Sequence, residues 1–341
     1  MDRHAVLLIN LGTPDSPSVA DVRRYLFQFL NDPRVIDIPW LLRKMLVNLI
    51  IVPFRAPKSA AIYKKLWTKD GSPLLFHGQE VQRKLSSALP ANYKVFLAMR
   101  YGNPSIPSVM EEVKKWQPNR ITVLPLFPQY ASSSSGSALE SFLVNISRWW
   151  VIPEVKILSQ YFFHPGYIKS FIERGRQYQV SDFDHVLFSY HGLPVRQVDK
   201  VYPGDLCKDH HCETSLDEEN LYCYKAACYE TTRRIASGLG IPETKYTVAF
   251  QSRLDKNWLK PFSDEVVETL AGNGVRKLLV FSPAFVADCL ETTIEIGDEY
   301  EHLFKKAGGE KLQLVESLNA HPVWIETLQD LVLNGSGQSP V

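Results

Sequence analysis

The chain repeats itself once at the scale of a domain, and this limits what it can fold into more than any other feature. AVLLINLGTP at residues 5–14 aligns with HVLFSYHGLP at 185–194, at a constant offset of 180. The correspondence continues in order. KVFLAMRY at 94–101 answers KYTVAFQSR at 245–253, and RITVLPLFP at 120–128 answers RKLLVFSP at 276–283. The strand around Val155 answers KLQLVE at 311–316, and HPGYI at 164–168 answers HPVWI at 321–325. A repeat of this length implies two homologous units rather than a solenoid.

The repeated segments are unbroken apolar runs ending at Gly-x-Pro, the pattern of parallel strands buried on both faces. Helical patterns lie between them, as at residues 15–30, where Val19, Val22, Leu26 and Leu30 recur at three- and four-residue spacing. The expected fold class is therefore α/β: two similar Rossmann-like domains, each a parallel sheet flanked by helices. A ligand cleft between them is expected, lined by the carboxyl ends of the strands. The expected boundaries are 1–158 for the first domain and 159–320 for the second, with a helix over 321–334 packing back on the first.

Composition narrows the function classes. With 341 residues, 45% apolar and 22% charged, the chain is of soluble globular type. Its formal charge of +1 and lack of basic runs give no footprint for nucleic acid. Met1-Asp2-Arg3-His4 leads straight into a strand, so a cytoplasmic location is expected. Residues 36–54 are strongly apolar, but Pro39, Arg43, Lys44, Asn48 and Pro53 interrupt them. The segment is expected not to span a membrane. It reads either as an exposed apolar lip, touching a membrane surface or a greasy ligand, or as an amphipathic helix facing the core.

Chemistry is concentrated in the second half. Where the first repeat has Leu11 at its strand end, the second has His191. The shared Gly-x-Pro accounts for the turn and not for the histidine. Glu291, Glu295 and Glu299 recur every four residues, which predicts carboxylates stacked on one helix face. A solvated acidic face is the ordinary meaning of such a run. Hard oxygen ligands leading to an imidazole are also what handling a divalent metal requires. Asp288, just before them, suits a helix cap as well as a ligand. Cys207, Cys212, Cys223 and Cys228 form C-x4-C-x10-C-x4-C within a polar insertion that starts near Gly204 and has no counterpart in the first half. Four thiolates in a short segment suit tetrahedral zinc or an iron–sulfur cluster, with His210 and His211 as substitute ligands.

Taken in order, these pieces resemble ferrochelatase. The likeness covers essentially the whole chain: LLINLGTP at 7–14, RAPKSAAIY at 55–63, DGSPL at 70–74, MRYGNP at 99–104, PLFPQYASSSSGS at 125–137, SYHGLP at 189–194, FQSR at 250–253 with Trp258, and SPAFVADCLETTIEI at 282–296. The resemblance implies a lyase that inserts Fe(II) into protoporphyrin IX to make protohaem. It implies His191 and Glu291 as the catalytic metal-site pair, His191 being the proton acceptor, with Glu295 along the metal or proton path. Arg55, Tyr63, Ser72 and Trp258 become expected porphyrin contacts, Tyr101 and Tyr130 line the same site, and residues 36–54 become the lip through which the porphyrin enters. That lip would bring the protein against the inner face of the membrane. Cys289 stands where some members carry histidine. Some bacterial members have an internal four-cysteine 2Fe–2S site, so such a cluster on Cys207, Cys212, Cys223 and Cys228 is expected, with zinc as the alternative. A chelatase for coproporphyrin or for cobalt, and a tetrapyrrole carrier without turnover, are the competing readings.

Overall fold

Every strand named by the repeat forms, and each takes the same place in its sheet as its counterpart. The structure, a computed structural model, describes residues 2–337. β1 (His4–Thr13), β2 (Tyr93–Gly102), β3 (Arg120–Pro125) and β4 (Glu154–Ile157) make one sheet in the order β2-β1-β3-β4. β5 (His185–His191), β6 (Tyr246–Gln251), β7 (Lys277–Phe281) and β8 (Lys311–Leu314) make the other in the order β6-β5-β7-β8. All the strand pairings within them are parallel. The expected α/β class with two similar parallel sheets flanked by helices is what is found.

The apolar runs become central strands. Leu7 pairs in register with both Phe96 and Val123, and β1 is covered on both faces. Ala5, Leu7 and Ile9 pack with Val109, Val113 and Phe142, while Val6 and Leu8 are fully buried on the opposite face. Each such side chain contributes about 1.5–3 kcal/mol of apolar burial. In the second sheet, Leu187, Ala249 and Val280 pack with Ile296, Tyr300 and Phe304. The helix carrying the glutamates is thereby anchored through its own apolar side. The chain divides into two compact units. One holds the chain up to Phe127 with Ala131–Gln160 and Leu328–Gly335; the other holds Pro128–Tyr130 and Tyr161–Thr327.

Two helices are wound in ways the sequence did not show. Pro39 and Pro53 interrupt the apolar run of residues 36–54 without ending its helix. A continuous helix of 27 residues runs over Trp40–Leu66, with Pro39 at its N-cap. Its middle, Leu46–Ile51, is wound as a π-helix, and Pro53 falls in the first turn after the switch back to α, where a missing N–H costs least. Val47, Val52 and Ala56 face inward, while Trp40 (65% exposed), Leu49 and Phe54 (74%) face outward. The helix thus faces the core along one side and leaves an apolar surface exposed along the other. By length and composition the helix is one that could cross a membrane, and 22% of its most apolar window is buried. Second, the glutamate helix, Glu291–Tyr300, is also a π-helix. With i→i+5 bonding a turn takes about 4.4 residues, so glutamates spaced by four stay on one side of the helix, as they would in an α-helix.

Sequence reading did not single out Asp32, which organises the first unit. Buried and 4% exposed, it accepts hydrogen bonds from Ser137 Oγ at 2.6 Å, Arg100 at 2.6 Å, the Arg34 backbone N–H at 2.7 Å and Tyr101 Oη at 2.8 Å. Burial pushes its pKa up, but these donors outweigh burial and hold the carboxyl below its ordinary 3.8. Its stabilising contribution is therefore present above the unfolded-state pKa and is lost as pH falls through the folded one. Asp32→Asn should lower stability at neutral pH by about 2 kcal/mol. Denaturant titrations of both proteins should show the gap closing in acid; a gap independent of pH would contradict this role.

Candidate active site

The second unit gathers its functional side chains at the carboxyl ends of β5 and β6. β5 stops at His191 because Gly192 turns the chain there. A Cβ at Gly192 would meet the Gln251 carbonyl at 2.8 Å and the Trp258 ring at 3.2 Å, so the turn needs glycine for its close approach. The His191 ring is half-buried, with its centroid 6.4 Å from that of Trp258 and 6.3 Å from that of Phe285. Its Nδ1 lies 2.7 Å from the Gly192 carbonyl oxygen. A carbonyl can only accept, so Nδ1 carries the proton, and in the neutral ring Nε2 keeps the lone pair.

Gln251 joins this strand end to the glutamate helix. It is the register partner of His191 and is 1% exposed. Its Nε2 donates to the Glu291 carbonyl at 2.9 Å and to Glu295 Oε2 at 3.1 Å, while its Oε1 accepts from Ser189 Oγ at 2.8 Å. Glu295 also accepts from the Ser252 N–H at 2.9 Å, Ser252 Oγ at 2.5 Å and Tyr300 Oη at 3.0 Å. Ser252 is held at φ +62°, an unusual backbone for a non-glycine residue, and this aims both of its donors at the carboxylate. Burial and then the Glu295 charge push the Tyr300 phenol well up, so it stays a donor. Glu291 is half-buried at the first turn. Burial and then the adjacent Glu291 charge raise the Cys289 thiol, which donates to that carboxylate. The Asp288 carboxylate accepts from Asn319 Nδ2 at 2.8 Å and from the Ser317 N–H, clamping the 317–319 loop.

The repeat held a signal for Gln251. In register it corresponds to Arg100, near the end of β2, which also binds a carboxylate, the buried Asp32. Of the other expected contacts, Trp258 lies beside His191, and the half-buried Tyr130 meets the ring of Tyr222 edge-on at 6.0 Å. The remaining four belong to the first unit. Arg55 is exposed on the Trp40–Leu66 helix; Tyr63 is buried, with Tyr25 edge-on to it; and Ser72 Oγ lies 2.8 Å from Thr13 Oγ1, fastening a loop to the end of β1. Tyr101 is 1% exposed, and its hydroxyl is engaged by Asp32 and Ser137, so it packs inward and offers no surface to a ligand.

In the insertion, Cys207, Cys212 and Cys223 converge and are all buried, with sulfur separations of 3.6, 3.7 and 3.9 Å. Metal–thiolate bonds of 2.3 Å in a tetrahedron place sulfurs about 3.8 Å apart, so the three fit corners of one metal site. Hydrogen bonds from Cys207 and then Cys212 hold the Cys223 thiol well below its ordinary range, which favours it as the thiolate of the group. The expected fourth member, Cys228, is not in the group. It is buried one turn into the Tyr224–Leu239 helix, bonded to the Tyr224 hydroxyl. Tyr202 Oη contacts Cys212 Sγ at 3.0 Å and stacks on His210, while His211 is exposed.

The family model described as Ferrochelatase matches residues 3–336. A ferrochelatase of Legionella pneumophila is 44% identical over 331 residues, covering 97% of this chain and 98% of the relative. One from Pseudomonas putida is 40% identical over 336 residues, covering 97% and 99%. One from Coxiella burnetii is 42% identical over 329 residues, covering 95% and 91%. Among solved structures, SirB from Bacillus subtilis with Fe3+ superposes with TM-score 0.55 at 14% identity over 99% of this chain and 98% of that one, a likeness of fold alone. Glu295→Ala would leave the Ser252, Gln251 and Tyr300 donors without an acceptor, at an expected cost of about 2–3 kcal/mol. Thermal unfolding checks this, and a loss under about 0.5 kcal/mol, the range of an ordinary surface change, would contradict it.

Proposed function

The chain belongs to the ferrochelatase family, the metal chelatases that insert ferrous iron into protoporphyrin in haem biosynthesis, and we propose that it performs this reaction with His191 as proton acceptor and with Glu291 and Glu295 handling iron and protons. One observation carries the assignment of roles: the Nδ1-protonated His191 keeps its Nε2 lone pair on the same strand ends that Gln251 fastens to both glutamates.

The chemistry follows from the stoichiometry. Fe2+ replaces two pyrrolic protons, so two protons must leave as the metal enters. His191 Nε2 takes one, and the Glu291 carboxylate takes the other or passes it outward. Carboxylate and imidazole are both suitable ligands for Fe2+ before transfer. Glu295, fixed by four donors, supplies a negative charge that does not move during turnover, the preorganised kind of stabilisation. Trp258 and Tyr130 offer aromatic faces to the macrocycle. The outward apolar face of Trp40–Leu66 supports its reading as the lip that receives the porphyrin, in a cytoplasmic protein that touches the inner face of the membrane.

The buried thiols support a resident metal centre. With Cys207, Cys212, Cys223 and Cys228 as ligands, a 2Fe–2S cluster would supply one-electron chemistry or a cross-link to this part of the fold. The mutual closeness of three sulfurs with Cys228 apart favours, as a second reading, one tetrahedral zinc held by Cys207, Cys212 and Cys223. Metal analysis with a visible spectrum of anaerobically purified protein separates the two: charge-transfer bands and iron for the cluster, a colourless zinc protein for the other.

His191→Ala should lower anaerobic iron insertion into protoporphyrin by about a hundredfold or more while leaving porphyrin affinity within a few-fold. Near wild-type turnover at saturating porphyrin would overturn the assignment.

A further inference from the structure

Three consecutive residues connect the thiol group to the candidate active site. Cys223 contacts the sulfurs of Cys212 and Cys207 and caps the Tyr224–Leu239 helix. The residue before it, Tyr222, is half-exposed and meets the Tyr130 ring edge-on, at an interplanar angle of 89°. The residue after it, Tyr224, is buried, and its hydroxyl donates at 3.0 Å to the carbonyl oxygen of His191. From these contacts we propose that Tyr224 and Tyr222 are positioning residues for the reaction, Tyr224 for His191 and Tyr222 for Tyr130, and that Cys223 sets the place of both. The inference rests on the reading of His191 as proton acceptor and Tyr130 as a porphyrin-facing ring.

The peptide plane between His191 and Gly192 shows why the Tyr224 hydroxyl matters. Its N–H, from Gly192, donates to the Gln251 carbonyl at 2.8 Å, and its carbonyl, from His191, accepts from Tyr224. Held on both sides, the plane cannot rotate, so the Gly192 carbonyl that follows is fixed too. That second carbonyl holds Nδ1 of His191 and so aims Nε2. The β7 ladder ends before His191, its last partner on β5 being Phe188, and gives this plane no support from that side. Without the hydroxyl, the plane is held by the Gln251 carbonyl alone. Neighbouring Cα atoms lie about 3.8 Å apart, so a shift of Cys223 on gaining or losing a metal reaches both tyrosines without slack.

Tyr224→Phe deletes only the hydroxyl. It should lower kcat for porphyrin metallation about tenfold, leave the porphyrin KM within twofold and leave Tm within a few degrees, a split that a general packing defect would not give. Tyr222→Ala should weaken porphyrin binding several-fold, read by quenching of intrinsic fluorescence, and Tyr222→Phe should restore it because the contact is made by the ring. Chelator removal of the thiol-bound metal under reducing conditions should weaken porphyrin binding by the same factor in the wild type and add less than twofold in Tyr222→Ala. This titration needs no substrate metal. If Tyr224→Phe keeps kcat within twofold while His191→Ala abolishes turnover, this inference fails and the His191 reading stands. If His191→Ala itself retains turnover, both fail. Should Tyr224→Phe lose the fold, the Tyr222 pair at a half-exposed position decides, and equal porphyrin affinity in Tyr222→Ala and wild type overturns the proposal.

Discussion

The amide of Gln251 is the joint on which the second unit depends. It is almost wholly buried and every polar atom of its side chain is matched: Ser189 donates to its oxygen, and its nitrogen donates to the Glu291 carbonyl and to Glu295. Its backbone carbonyl also receives the Gly192 N–H that ends β5. A buried amide left unmatched costs about 1–3 kcal/mol, so these partners define one geometry and penalise the alternatives. The strand end carrying His191 and the first turns of the glutamate helix therefore keep a fixed relation. Underneath, Ile296 and Tyr300 pack on Leu187 and Val280, so the polar joint sits on an apolar base.

This division of labour gives the glutamates different work. Glu295 is saturated by donors from Ser252, Gln251 and Tyr300 and is better suited to hold a charge in place than to travel with iron. Glu291, whose carboxylate meets the Cys289 thiol, keeps more of its lone pairs for metal or proton.

The two-unit architecture was legible because a duplication doubles the signal: four strand pairs in matching order leave little freedom for sheet topology. His191 stood out for the same reason, occupying the place where its repeat partner is leucine. What stayed hidden depends on groups distant in sequence. Asp32 meets Tyr101 and Ser137 only after folding, and nothing local marks it. A glutamine closing a strand looks like any polar residue until register sets Gln251 beside Arg100 as the matching strand-end anchor. Over residues 36–54 nothing local marked the wide turn that admits Pro53 into a continuous helix. The cysteine spacing gathered four thiols in one insertion but could not say which three sulfurs meet.

The contribution of the Gln251 joint can be measured by single-turnover metallation with porphyrin bound in advance, comparing the wild type with Gln251→Leu. If the joint makes His191 and the glutamates act together, the variant binds porphyrin as the wild type does and inserts iron at least about tenfold more slowly, one lost transition-state contact. An unchanged insertion rate in a folded Gln251→Leu protein would show that the two parts of the site work independently.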